Sequence, residues 1–202
     1  MTIKAGDKMP QGTFTRMTSD GPKKITTDEL FNGKTVVLFS VPGAFTPTCD
    51  AKHLPGFIEH ADEIKKKGVD TIACTAVNDV FVMNAWGKLA GVGDKILMLA
   101  DGNAEYAKAL GLELDATGYG MGLRGQRFAV IVKNGVATHL NVEAPGEFKV
   151  SAADFVLKQL SVAARLAGTA QRSAGFRDCR SRADSTRYVR LGRFTAAASG
   201  RT

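Results

Sequence analysis

The run Thr35 Val36 Val37 Leu38 Phe39 Ser40 Val41 passes directly into Pro42 Gly43 Ala44 Phe45 Thr46 Pro47 Thr48 Cys49. The first segment is apolar without alternation, the pattern of a strand buried on both faces of a sheet. The second cannot continue a strand, because two prolines and a glycine interrupt it. From about Thr48 to Lys67 the apolar positions Leu54, Phe57, Ile58, Ala61 and Ile64 keep helical spacing, with a kink expected at Pro55 and a stop at Gly68. The junction is therefore a strand-to-helix turn with a cysteine at its mouth. Unsatisfied N–H groups and the positive end of the helix dipole would face the Cys49 sulfur and favour thiolate over thiol. Thr46, three residues upstream, can turn its hydroxyl to the sulfur or to an oxygen bonded to it, and Pro42 stiffens and shields the turn. Most lone cysteines after a core strand are inert packing. A cluster of Pro, Thr and Cys fills a core poorly, so Cys49 is read as a nucleophile.

Outward from this turn the chain alternates strands and helices. Thr26 and Glu29 form a capping-box pattern ahead of Leu30 and Phe31, closed by Asn32 and Gly33. Val69 to Val77 reads as a strand, Asp79 to Leu89 as a helix, Ile96 to Ala100 as a strand, and Asn103 to Leu110 as a helix ended by Gly111. Phe128 to Val132 and Val136 to Val142 flank Asn134 Gly135, a favoured hairpin turn. Ser151 to Leu160, with Asp154 three residues after a Ser151 cap, reads as a last helix. The segment from Asp115 to Gly125 holds four glycines and is expected to be mobile or shaped by close contacts. This order predicts an α/β fold, a central mixed sheet with helices on both faces.

Pro42-x-x-x-Thr46-x-x-Cys49 resembles the active-site signature of the peroxiredoxins, thiol peroxidases on a thioredoxin-like fold. Lys52 His53 Leu54 Pro55 Gly56 Phe57 is similar to the plant type II and animal type five branch of that family. So are Val77 Asn78 Asp79 with Phe81 Val82 Met83 and Trp86, then Leu99 Ala100 Asp101, Gly122 Leu123 Arg124 with Arg127 Phe128, and Asn141 Val142 Glu143. The resemblance covers about residues 3 to 160.

The resemblance implies that Cys49 attacks hydrogen peroxide and small alkyl hydroperoxides and becomes a sulfenic acid. It implies Pro42, Thr46 and Arg127 as the other catalytic positions, since an arginine ahead of the Phe128 strand matches the family's. On a thioredoxin-like layout that strand lies beside the one leading to Cys49, and a guanidinium there favours thiolate and binds peroxide oxygens. Gly43, Phe45 and Arg124 are read as substrate-binding, Arg124 as a supporting charge. Phe45 and Trp86 are expected to be exposed, either tolerating organic peroxides or forming a dimer face; the resemblance implies a homodimer. Cys74 is either plain core or a resolving thiol. The type five branch places its resolving cysteine near Glu147 Phe148 Lys149 Val150, where this chain has none. Glutathione with glutaredoxin, or thioredoxin, is therefore the expected reductant.

His53 lies four residues after Cys49 on one helical face but is read as a surface or pocket-edge residue, because a metal site needs more ligands than the chain supplies nearby. No cofactor or metal is expected. Thr46 stands where a thioredoxin-type reductase carries its first cysteine, which replaces dithiol exchange by single-thiolate attack. A different class of function, a redox-sensing interaction protein whose Cys49 oxidation signals to a partner, remains open.

The formal charge of +7 misleads as an average. Residues 161–202 hold nine of the 27 basic residues, all arginine, and two of the 20 acidic ones, which leaves 18 of each sign in residues 1–160. That Arg-rich, low-complexity tail is expected to be disordered, or non-native sequence from read-through or a vector. Its composition permits nonspecific nucleic-acid binding, but no motif marks a specific nucleic-acid partner. Three cysteines, with Cys179 in the tail, do not make a secreted disulfide framework. With no signal-like N-terminus and no apolar run of the roughly 20 residues that span a bilayer, the expected compartment is the cytoplasm.

Overall fold

The buried strand read from Thr35 onward is an interior strand of the main sheet. β3 runs from Thr35–Ser40, and all its residues after Thr35 are buried. It pairs in parallel with β4 (Thr71–Ala76) and antiparallel with β8 (Phe128–Lys133). The computed structural model describes residues 1–162; the readings that fall on the Arg-rich tail and Cys179 lie outside the described residues. The remaining elements are β1 (Thr13–Thr18), β2 (Gly21–Thr26), α1 (Thr27–Phe31), α2 (Leu54–Glu59), α3 (Ala61–Lys66), α4 (Val80–Ala90), β5 (Leu97–Ala100), α5 (Glu105–Leu110), β6 (Glu113–Asp115), β7 (Leu123–Gly125), β9 (Val136–Val142), and a final helix α6 over residues 153–162. Seven strands form one mixed sheet in the order β2-β1-β5-β4-β3-β8-β9, and β6 pairs with β7 apart from it.

The alternation of β3 side chains builds two cores, one on each face. Val37, Phe39 and Val41 pack with Leu54, Phe57, Ile64, Trp86 and Val156 from α2, α3, α4 and α6. Val36 and Leu38 pack with Leu30, Phe31, Tyr106 and Leu110 from α1 and α5. Phe39 lies flat on Phe57, with ring centroids 4.0 Å apart. Each such fully buried side chain contributes about 1.5–3 kcal/mol, so burial on two faces holds the strand against both helical layers.

Several local readings hold in detail. Thr26 and Glu29 make the reciprocal capping box of α1, and Asn134 and Gly135 adopt the positive φ values, 48° and 77°, of the predicted hairpin turn. The glycine-rich segment starts at the last residue of β6 and holds a single 3₁₀ turn (Thr117–Tyr119) and β7. A Cβ on Gly125 would stand 3.1 Å from Ser40 Oγ, so close contact shapes that end.

Other elements differ from expectation. The hairpin β1–β2 carries no strand signal, because β2 is an exposed edge with Pro22, Lys23 and Lys24 in its middle and little apolar alternation. The helix expected across Thr48 to Lys67 is three pieces: a π-helical turn (Cys49–His53), α2, and α3 after a break at His60. Pro55 offers no N–H, and its ring would collide with the carbonyl four residues back. The turn widens instead, and the Leu54 N–H donates to the Cys49 carbonyl five residues before it.

The last helix begins at residue 153, and Ser151 is not its cap. The Ser151 N–H and Oγ donate to Glu143 Oε1 at 2.7 and 2.8 Å, which also accepts from the Lys149 N–H at 2.7 Å, while Asp154 Oδ1 meets His60 Nε2 at 3.0 Å. One carboxylate oxygen thus folds the segment between β9 and α6 back on itself. Burial alone would raise the Glu143 carboxyl, but the donors of Ser151, Lys149 and Val150 outweigh it and hold the group below its usual value. A carboxylate depressed on folding lends stability above its unfolded value and loses it as pH falls through the folded one. Glu143→Gln is expected to cost about 1–2 kcal/mol in urea unfolding at pH 7, with the difference from the parent protein shrinking at pH 3.5.

Candidate active site

The β3–β8 register aligns Ser40 with Phe128, so the residues just beyond, Val41 and Arg127, lie at the same end of the sheet. There the chain leaves β3 through Pro42 to Thr48 and enters the π-helical turn at Cys49. The Cys49 side chain is fully buried. Arg127 Nη2 donates to Cys49 Sγ at 3.2 Å, and Thr46 Oγ1 lies 2.8 Å from the same sulfur. Thr46 Oγ1 also donates to the Gly43 carbonyl at 2.9 Å. A hydroxyl has one proton, so these contacts alternate: a thiol can donate to Oγ1 while Oγ1 donates to Gly43, and a thiolate draws the Thr46 proton to sulfur.

The turn is held from several sides. Asn78 Oδ1, at the end of β4, accepts from the Ala44 N–H at 2.9 Å. Phe45 sits at φ 61°, a left-handed conformation that costs a residue with a Cβ about 1–2 kcal/mol. Its ring is 48% exposed, as the sequence suggests. Trp86 is not exposed. Its ring is fully buried 6.3 Å from that of Phe45, and its indole N–H donates to Asp50 Oδ1 at 2.7 Å. Asp50 follows Cys49, so this bond ties the cysteine's own turn to α4. The spacing of Trp86 on an amphipathic helix is compatible with either face; only its packing into the core cluster decides it.

Arg124 reaches the same mouth. Its Nε donates to the Met121 carbonyl at 2.8 Å and its Nη1 to the Val77 carbonyl at 3.1 Å. A Cβ on Gly43 would lie 3.2 Å from Arg124 Nη1 and 3.1 Å from Thr46 Cγ2, so a side chain there would have to push the arginine or the threonine back by a few tenths of an ångström. Two donors of Arg124 therefore clamp backbone.

His53 is fully buried, against the expectation of a surface or pocket-edge residue. Its Nδ1 is 2.9 Å from Arg127 Nη1 and its Nε2 is 3.1 Å from the Ser151 carbonyl. Burial and the adjacent Arg127 charge push the imidazole down to about 3. The i,i+4 spacing from Cys49 is the signal that could have revealed it; Asn78 and Glu143 are marked only by the family-like segments that contain them, and Asp50 and Phe148 carry no comparable signal. Cys74 is fully buried on β4, in the same cluster as Cys49, and both are free cysteines. Burial, with the Cys49 sulfur beside it, pushes the Cys74 thiol well up, away from nucleophilic ionisation.

A buried sulfur with an arginine N–H and a hydroxyl converging on it can attack a small electrophile and bind the oxygens of that electrophile. Comparison with known proteins agrees with that chemistry. The family model described as Redoxin matches residues 4–157. The chain is 50% identical over 159 residues to Peroxiredoxin-2B of Arabidopsis thaliana, covering 78% of this chain and 98% of that protein. It is 45% identical over 164 residues to the hybrid peroxiredoxin hyPrx5 of Haemophilus influenzae, covering 80% and 68%. Among solved structures, reduced Prx3 from Vibrio vulnificus in complex with hydrogen peroxide superimposes with a TM-score of 0.76 at 54% identity, covering 79% of this chain and 99% of that one. The chain thus belongs to the peroxiredoxin family, as a thiol-dependent peroxidase on a thioredoxin-like fold.

Proposed function

We propose that Cys49 is the peroxidatic cysteine and that it reduces hydrogen peroxide and small alkyl hydroperoxides. The observation that carries this reading is the convergence of Arg127 Nη2 and Thr46 Oγ1 on Cys49 Sγ. The thiolate attacks one peroxide oxygen, the O–O bond breaks, and the second oxygen leaves with a proton as water or an alcohol. Cys49 is thereby oxidised by two electrons to the sulfenic acid. Arg127, Thr46 Oγ1 and the Cys49 N–H are the donors that orient the peroxide and stabilise charge on the leaving oxygen, with Pro42 walling the turn. Gly43 and Phe45 border the peroxide, and the spare Arg124 donors add positive charge there.

The buried Cys74 thiol favours an external reductant over an internal disulfide. A thiol such as glutathione condenses with the sulfenic acid, releasing water and leaving a mixed disulfide that a second thiol, on glutaredoxin or thioredoxin, reduces. A reducing cytoplasm suits the two free cysteines among the described residues. The described residues contain no helix long and apolar enough to cross a membrane. Phe45, Phe81 and Leu89 leave apolar surface at the turn and along α4, which favours a homodimer. Residues 161–202 are an appendage dispensable for this chemistry.

With glutathione, glutaredoxin and a coupled reductase, peroxide turnover is expected to vanish in Cys49→Ser and persist in Cys74→Ser; loss in both would make Cys74 a second catalytic thiol, and no turnover with any thiol donor would favour a redox sensor. Thr46→Val and Arg127→Gln are each expected to slow Cys49 oxidation by hydrogen peroxide about a hundredfold, read by stopped flow. Sedimentation equilibrium is expected to give a dimer that Phe81→Glu weakens, and a chain ending at Leu160 is expected to retain full turnover.

A further inference from the structure

We propose that His53 is a positioning residue of the peroxidase reaction, a neutral acceptor that holds the Arg127 guanidinium against the Cys49 sulfur. The proposal rests on the role given to Arg127 above. The hydrogen-bond chemistry leaves one assignment of the ring. A guanidinium has only donors, so Nδ1 must accept from Arg127 Nη1 at 2.9 Å. A carbonyl has only lone pairs, so Nε2 must carry the proton and donate to the Ser151 oxygen at 3.1 Å. Both ring nitrogens are committed, and a second proton would set an N–H and a positive charge against the guanidinium. The imidazole accordingly stays neutral far below the ordinary histidine range.

The surroundings leave the ring little freedom. Phe39, Phe57 and Phe148 surround it with centroid distances of 5.0, 5.6 and 5.0 Å, and the Arg127 guanidinium carbon stands 5.7 Å from the Phe148 centroid. Ser151, which accepts from Nε2, is fastened by Glu143. Cys49 and His53 open and close the same π-helical turn, so one backbone segment places both the sulfur and the group that aims the arginine at it.

A neutral acceptor suits this place for an electrostatic reason. Among the described residues no carboxylate pairs with Arg127. A carboxylate at the His53 position would also orient the guanidinium, but it would cancel the charge that the sulfur and the departing oxygen require. The imidazole lone pair supplies direction and leaves the charge in place.

The test compares two substitutions that each keep one of the ring's contacts. In His53→Asn the side-chain oxygen occupies the place of Nδ1 and still accepts from Arg127. In His53→Gln the amide nitrogen occupies the place of Nε2 and still donates to Ser151. The rate of Cys49 oxidation by hydrogen peroxide is measured for each, alone and combined with Arg127→Gln, with unfolding midpoints recorded alongside. His53→Asn is expected to stay within about threefold of the parent and His53→Gln to fall about tenfold or more, with neither slowing Arg127→Gln further. Equal losses in both, or equal losses with and without the guanidinium, would make His53 a packing residue and overturn the proposal. If His53→Gln does not fold, His53→Asn decides: within about threefold of the parent and without effect on Arg127→Gln it supports positioning, and a larger loss overturns it. Arg127→Gln oxidising at the parent rate would overturn the Arg127 reading itself, a result visible before any histidine variant is compared.

Discussion

The guanidinium of Arg127 is the interaction around which this molecule is arranged. It is partly buried, where a charge interacts more strongly than in bulk water and is more costly to leave without partners. Three neighbours satisfy it without a carboxylate among the described residues: the Cys49 sulfur, the His53 ring nitrogen and the face of Phe148. Each comes from a different part of the chain, and the antiparallel pairing of β8 with β3 brings Arg127 to them. A one-residue slip of that pairing would turn Arg127 to the other face of the sheet and away from the sulfur.

Energy and specification fall to different residues. The two apolar clusters supply most of the stabilisation and hold β3 between helical layers. They do not by themselves fix the turn to within the few tenths of an ångström that peroxide chemistry requires. That accuracy comes from a small set of directional contacts. Asn78 holds Ala44, Trp86 holds Asp50, Asp79 caps α4 through the Phe81 and Val82 N–H groups, and Asp101 accepts from Tyr106 and Ala107 at the start of α5. Asn78, Asp79, Trp86, Asp101, Glu143 and the two arginines are also residues through which the chain resembles its family. The coincidence has a physical basis: apolar packing tolerates exchange of one aliphatic group for another, whereas a buried polar group without its partner costs about 1–3 kcal/mol.

The two cysteines show how environment separates residues of one type. Both are buried in one apolar cluster, but Cys49 meets an arginine and a threonine hydroxyl at a chain turn, while Cys74 lies mid-strand within the apolar cluster. Desolvation without a compensating charge makes the Cys74 thiol inert.

Much was legible in the order of residues. The buried strand, the turn with Pro42, Thr46 and Cys49, the Asn134 Gly135 hairpin and the capping box of α1 all follow from local rules, because each depends on neighbours within a few positions. Arg127 was legible only with a strand layout supplied by resemblance. The β1–β2 hairpin was not, since an edge strand packed on one side needs little apolar pattern. The split of the long helix followed partly from Pro55, but the widened turn depends on where Cys49 and His53 must point. The burial of His53 and Trp86 and the clasp of Ser151 by Glu143 were decided by tertiary structure alone. Ring nitrogens, an indole N–H and a hydroxyl can each face water or a partner at similar free energy. What settles the choice is a partner brought from 36 residues away for Trp86, 74 for His53 and 8 for Ser151. The sequence by itself determined which segments become strands and where the nucleophile stands; the tertiary structure decided which polar groups surround it, because those groups meet only after the chain has folded.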